Sequence, residues 1–119
     1  MITITLPWPD SDLSPNGRKH WRVTSKAKAK YKARCEWRFM CLAPHATHDT
    51  FPAGDIPLTL TFHKPSRRHM DADGLLSRMK SGLDGVAKAL GIDDVRFRPI
   101  TVNVADEPIK GGQVVVVLG

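Results

Sequence analysis

Tyrosine occurs once, cysteine twice and tryptophan three times in the 119 residues, and the 12 acidic side chains are outnumbered by 18 lysines and arginines. The two cysteines, Cys35 and Cys41, lie six positions apart in a predicted helix. That spacing does not bridge easily, so the chain carries no disulfide framework and suits a reducing compartment. With His45 and His48 they match no common zinc spacing. No apolar run approaches the roughly 20 residues that a membrane span needs. The opening Met-Ile-Thr-Ile-Thr-Leu lacks a basic region followed by an apolar stretch and reads as a strand rather than a leader. The expectation is a cytoplasmic protein with no membrane partner. No internal repeat or low-complexity segment divides the chain, so residues 1–119 read as one domain. A hydrophobic fraction of 41% gives that domain only a modest core. A homodimer would relieve the shortage.

What is present is positive charge, and it is concentrated. The net charge is +6, and nine of the 18 basic residues fall between Arg18 and Arg38, opposed there only by Glu36. A solvated helix usually mixes its signs, so this run points to a polyanion, held through release of the counterions that coat a phosphate backbone. Arg18, Lys19, Arg22, Lys26 and Lys30 are the first candidates for nucleic-acid contact.

Period-two alternation marks strands at Ile2–Leu6 and Leu58–Phe62. Pro7, Pro9 and Pro15 break regular structure, which leaves a mobile basic loop around residues 9–23. Thr24 or Ser25 is the expected cap of a helix reaching Leu42, with Ala27, Tyr31, Cys35, Phe39 and Leu42 as its core stripe. A second helix is predicted from Ala72 to Leu90, closed by Gly91, with Gly82 and Gly85 permitting close approach by a neighbour. Two more strands, Val95–Val104 and Gln113–Leu118, are expected to pair antiparallel, the valine run 114–117 being buried. Strand, helix, strand, helix, strand, strand makes an α+β domain with a mixed sheet.

The chemistry-bearing stretch is Arg67-Arg68-His69-Met70-Asp71-Ala72-Asp73, continued by Lys80 and closed by Asp93-Asp94. Phosphodiester hydrolysis needs an activated water and a neutralised phosphate, and hard divalent cations held by carboxylates supply both. Asp71 and Asp73, at a strand-to-helix junction, can point toward one space, and Asp93-Asp94 can bring a third carboxylate. Helical geometry puts Ser77, Lys80 and Asp84 on the Asp73 face. Arg67 and Arg68 would grip flanking phosphates. The plainer reading makes the same aspartates helix caps and turn formers in a non-catalytic basic nucleic-acid-binding module. Spacing alone leaves both open.

Taken together, Leu6-Pro7-Trp8-Pro9, the basic segment with Asn16 and Arg18, Arg67-Arg68-x-x-Asp71-x-Asp73, Asp93-Asp94 and a late Lys110-Gly111-Gly112 turn resemble the RusA-type Holliday junction resolvases, often carried by phages and prophages. The resemblance spans nearly the whole chain in order. It implies a dimeric α+β endodeoxyribonuclease that resolves four-way DNA junctions by paired symmetric nicks in recombination and repair. It also implies Mg2+ (Mn2+ substituting) held by Asp71, Asp73 and Asp94, a catalytic lysine at Lys80, and Asn16 among the DNA contacts. The lysine comes about three residues later after the second aspartate than the family pattern has it, and Gly74 stands where an asparagine is common.

Overall fold

A computed structural model describes residues 1–14 and 20–119. Four strands and two long helices follow one another as β1 (Ile2–Pro7), α1 (Trp21–Leu42), β2 (Ile56–His63), α2 (Ala72–Leu90), β3 (Phe97–Val104) and β4 (Gln113–Leu118), with short 3-10 turns at Ser11–Leu13, His48–Thr50 and Asp94–Arg96. The order of elements, the α+β class and the mixed sheet agree with the sequence pattern.

The pairing of the last two strands does not. The sheet order is β1-β4-β2-β3, so β4 lies between β1 and β2, antiparallel to both, and β3 pairs parallel to β2 at the edge. The 19-residue α2 explains this. At about 1.5 Å per residue it runs back along the full length of β2. The chain therefore re-enters the sheet where β2 began and leaves in the same direction, as a helical crossover requires. Val116 faces both Ile4 and Leu60 across its two ladders.

One face of the sheet is covered and the other is not. Ile4, Leu6, Leu58, Leu60, Phe62, Val114, Val116 and Leu118 point toward the helices and are buried. Thr59, Thr61, Val115 and Val117 alternate with them on the open face and are only half-buried. The valine run is thus buried on one side rather than throughout.

α1 begins at Trp21, several residues before the predicted cap. The His20 ring accepts from the Arg22 amide at 3.2 Å and caps it, while Thr24 and Ser25 lie inside the first turns. Part of the expected 9–23 loop is accordingly ordered: Pro9 and Leu13 are buried, and residues 21–23 are helical. Tyr31, Cys35 and Phe39 form the buried stripe of α1, but Leu42 at its end is exposed. The α1 and α2 backbones touch where a side chain would not fit. A Cβ on Gly85 would lie 2.3 Å from the Lys32 carbonyl oxygen, and one on Gly82 would lie 2.6 Å from the Tyr31 ring. Gly91 closes α2 in the left-handed conformation (φ 72°). Among the described residues no helix is long and apolar enough to cross a membrane.

Candidate functional site

Packing decides which residues of α1 are free for a ligand. With Tyr31, Cys35 and Phe39 turned inward, Arg22, Lys26, Lys28, Lys30, Arg34 and Arg38 remain exposed. The Arg22 guanidinium lies over the Trp21 ring, 5.4 Å from its centre. The Tyr31 hydroxyl donates to the Pro7 carbonyl at 2.7 Å, and burial pushes it well above the ordinary phenol range. That bond ties α1 to the end of β1. Asn16, Arg18 and Lys19 lie outside the described residues.

The Leu6-Pro7-Trp8-Pro9 and Lys110-Gly111-Gly112 segments, far apart in sequence, are packed on each other. The Trp8 ring meets Phe62 edge-on at 6.0 Å. A Cβ on Gly112 would lie 2.9 Å from the Trp8 ring, and both Gly111 and Gly112 have left-handed φ values (81° and 70°). Glycine there lets the chain turn into β4 beneath the indole.

The basic loop after β2 delivers Arg67, Arg68 and His69 to the start of α2. Arg67 is already engaged, its guanidinium donating to Glu107 at 3.0 Å, with both side chains largely in solvent. Asp71 stands at the N-cap position of α2 without making a side-chain cap hydrogen bond. Its carboxylate instead meets His69 Nε2 at 3.1 Å. Asp73, in the first turn, accepts from the Gly74 amide at 3.0 Å.

Asp71 and Asp73 diverge. Two residues apart on a helix that turns about 100° per residue, they leave from opposite flanks of the apolar stripe. Asp71 shares a cavity with Ser11, Ser14, Arg68 and Arg78. Asp73 falls on the flank of Ser77, Lys80 and Asp84, as the helical angles predict, and Ser77 bonds back to the Asp73 carbonyl at 3.0 Å.

The third predicted carboxylate lies at the far end of that second flank. Asp94, Lys80 and Asp84 line one open cleft of about 280 Å³ with Leu76, Leu83, Phe97 and Ile100. The two aspartates of the turn divide their work. Asp93 accepts from the Val95 amide at 3.0 Å and caps the 3-10 turn, leaving Asp94 directed at Asp84. The Asp94 carboxyl is held above the ordinary carboxylate range, chiefly by its hydrogen bond to Asp84, then by partial desolvation and by Asp93. Asp84 is therefore a candidate that the spacing put on the right face without a role.

Asp84 lies about 16 Å along the α2 axis from Asp73, so Asp71, Asp73 and Asp94 do not surround one point within a protomer. Among the described residues no three His, Cys, Asp or Glu side chains stand close enough to hold a metal ion. The Asp84–Asp94 pair by itself fits part of a cation's needs. It offers hard oxygen donors, close enough together to raise the Asp94 pKa.

No protein-family model matches the chain. It is 40% identical over 121 residues to an uncharacterized protein of Xylella fastidiosa (strain Temecula1 / ATCC 700964), in an alignment that covers 99% of this chain and 76% of the other. The two proteins belong to one family. The Xylella relative carries no described activity.

Proposed function

We propose that the protein is a Mg2+-dependent endodeoxyribonuclease that resolves four-way DNA junctions by paired nicks, acting as a homodimer. One observation carries the reading: a lysine and two carboxylates, Lys80 with Asp84 and Asp94, share a cleft in a protein whose first helix presents a cationic face. Carboxylates in a protein that attracts DNA repel the ligand unless a cation intervenes. A divalent ion held there would lower the pKa of a water and neutralise charge on the scissile phosphate. Lys80 adds a fixed positive charge beside the developing phosphorane. The cationic face of α1 and the Arg67-Arg68 loop hold the flanking phosphates.

The resemblance assigns Asp71, Asp73 and Asp94 to a single ion. Within one protomer Asp71 and Asp94 are separated, so an ion shared by these two requires a second copy to bring its own Asp71 to the Asp94 cleft. The homodimer is part of the proposal for that reason. Mixing separately inactive Asp71→Asn and Asp94→Asn proteins tests it, because a composite site regenerates one intact centre per mixed dimer and restores single nicks. Ligands confined to one protomer would leave a substituted ligand in both centres of every dimer, and the mixture would stay inactive.

The competing reading is a non-catalytic nucleic-acid-binding module. Calorimetric titration separates the two: the nuclease takes up Mg2+ at the Asp84–Asp94 cleft and loses that uptake in Asp94→Asn, whereas a module binds DNA with no measurable heat from Mg2+.

A further inference from the structure

The cavity at the start of α2 carries more positive charge than the paired aspartates of the motif call for. It measures about 290 Å³, and its polar lining comprises Ser11, Ser14, Arg68, His69, Asp71 and Arg78. The other described arginines of the loops and strands are occupied. Arg67 holds Glu107, Arg98 lies 3.5 Å from Asp55, and Arg96 donates to the carbonyls of Phe51, Pro52 and Gly54. Among the described residues the guanidiniums of Arg68 and Arg78 have no hydrogen-bond or ion-pair partner, although Arg78 is half-buried. An arginine whose stem is packed while its guanidinium has no protein partner is open to an arriving anion.

Arg78 follows Asp71 by seven residues, two helical turns and about 10 Å, on the same flank of α2. Among the described residues that line the cavity Asp71 is the only carboxylate, and His69 already stands against it at 3.1 Å. Two arginines and two serines thus line one cavity from three separate segments: the turn after β1, the loop after β2, and α2. Guanidinium forks suit phosphate oxygens, which accept two parallel hydrogen bonds.

We propose that this cavity binds a backbone phosphodiester of the DNA substrate, with Arg78 and Arg68 as its cationic ligands and the Ser11 and Ser14 hydroxyls as further donors. The identity of the ligand rests on the DNA-cleaving reading; the preference for a phosphate group rests on the cavity. Arg78 becomes a binding residue that no motif singles out, set beside Asp71 and away from the Lys80 cleft.

Arginine Nε–H resonances of the 15N-labelled full-length protein test the proposal, titrated with inorganic phosphate or with a short oligodeoxynucleotide lacking terminal phosphates. The oligodeoxynucleotide should shift the Arg68 and Arg78 signals saturably and leave Arg98 in place. Arg78→Gln should lower the salt dependence of oligonucleotide binding by about one counterion, and Arg78→Lys, which keeps the charge and the stem packing, should preserve it. A response to inorganic phosphate alone would overturn the diester assignment. If a four-way junction is bound and cut while Arg78 neither shifts nor changes the salt slope, this inference falls and the nuclease reading stands. If Arg78 responds to the oligodeoxynucleotide but junctions stay uncut, the nuclease reading falls and the phosphodiester site stands.

Discussion

Asp93 and Asp94 are adjacent and chemically identical, and the sequence alone gives no physical ground for choosing between them. The choice is made by a backbone amide: Asp93 is occupied with Val95, and Asp94 is left to meet Asp84. A carboxyl whose folded pKa lies above its unfolded value contributes stability below the unfolded pKa and loses it as pH rises through the folded one. Asp94→Asn, in metal-free buffer, should therefore raise the melting temperature at neutral pH and flatten its decline from acid to neutral pH, while abolishing junction cleavage. A melting temperature at pH 7 that falls on substitution would mean that the charged Asp94 is paired favourably. The two thiols also separate. Cys35 is fully buried and its pKa is pushed up to about 11, mainly by that burial, whereas Cys41 is exposed. An alkylating reagent at pH 8 should modify Cys41 alone in the native protein, as read by mass spectrometry. The stability that Cys35 contributes is present below about pH 9 and lost as pH rises toward about 11.

Between elements, legibility follows how local the determinants are. The bounds of α2 could be read from the recurrence of Leu75, Met79, Leu83, Val86 and Leu90 and from the Gly91 stop, all of which act within a turn or two. The start of α1 was obscured because a histidine serves as its cap, with Thr24 and Ser25 offering more conventional caps just downstream. The sheet order was hidden for a different reason. Which strand β4 joins depends on contacts across the whole domain, and the turn-rich 105–112 connection looks like a hairpin from sequence. The divergence of Asp71 and Asp73 was calculable from helical geometry, but the Arg78 cavity also needs Ser11 and Ser14 from a segment that proline content marked only as a loop. The spacing of Gly82 and Gly85 does predict the close helix approach. Gly85→Ala should cost about 2–4 kcal/mol in denaturant melts, because the methyl collides with the α1 backbone. Gly74 has nothing within 4 Å of a Cβ, and Gly74→Ala should be neutral or stabilise by up to about 1 kcal/mol. Equal effects at the two sites would contradict the helix contact described here.

At the scale of the whole molecule, one side of the sheet is closed by two helices, and α1 turns a cationic face to solvent. Net charge of +6 and the exposed row Arg22, Lys26, Lys30 and Arg34 predict DNA binding that weakens steeply with salt. Replacing Lys26 and Lys30 together by glutamine should lower the slope of log affinity against log salt by about 2 and leave the fold unchanged by circular dichroism. An unchanged slope would move the DNA interface elsewhere. Junction resolution is tested most simply by cleavage of a synthetic four-way junction, labelled strand by strand, by the purified protein with Mg2+. Paired nicks are expected at symmetric positions in opposing strands, absent with chelator and absent in Asp94→Asn. Junctions of varied sequence that stay intact in Mg2+ and in Mn2+, though bound by the protein, would contradict the resolvase reading.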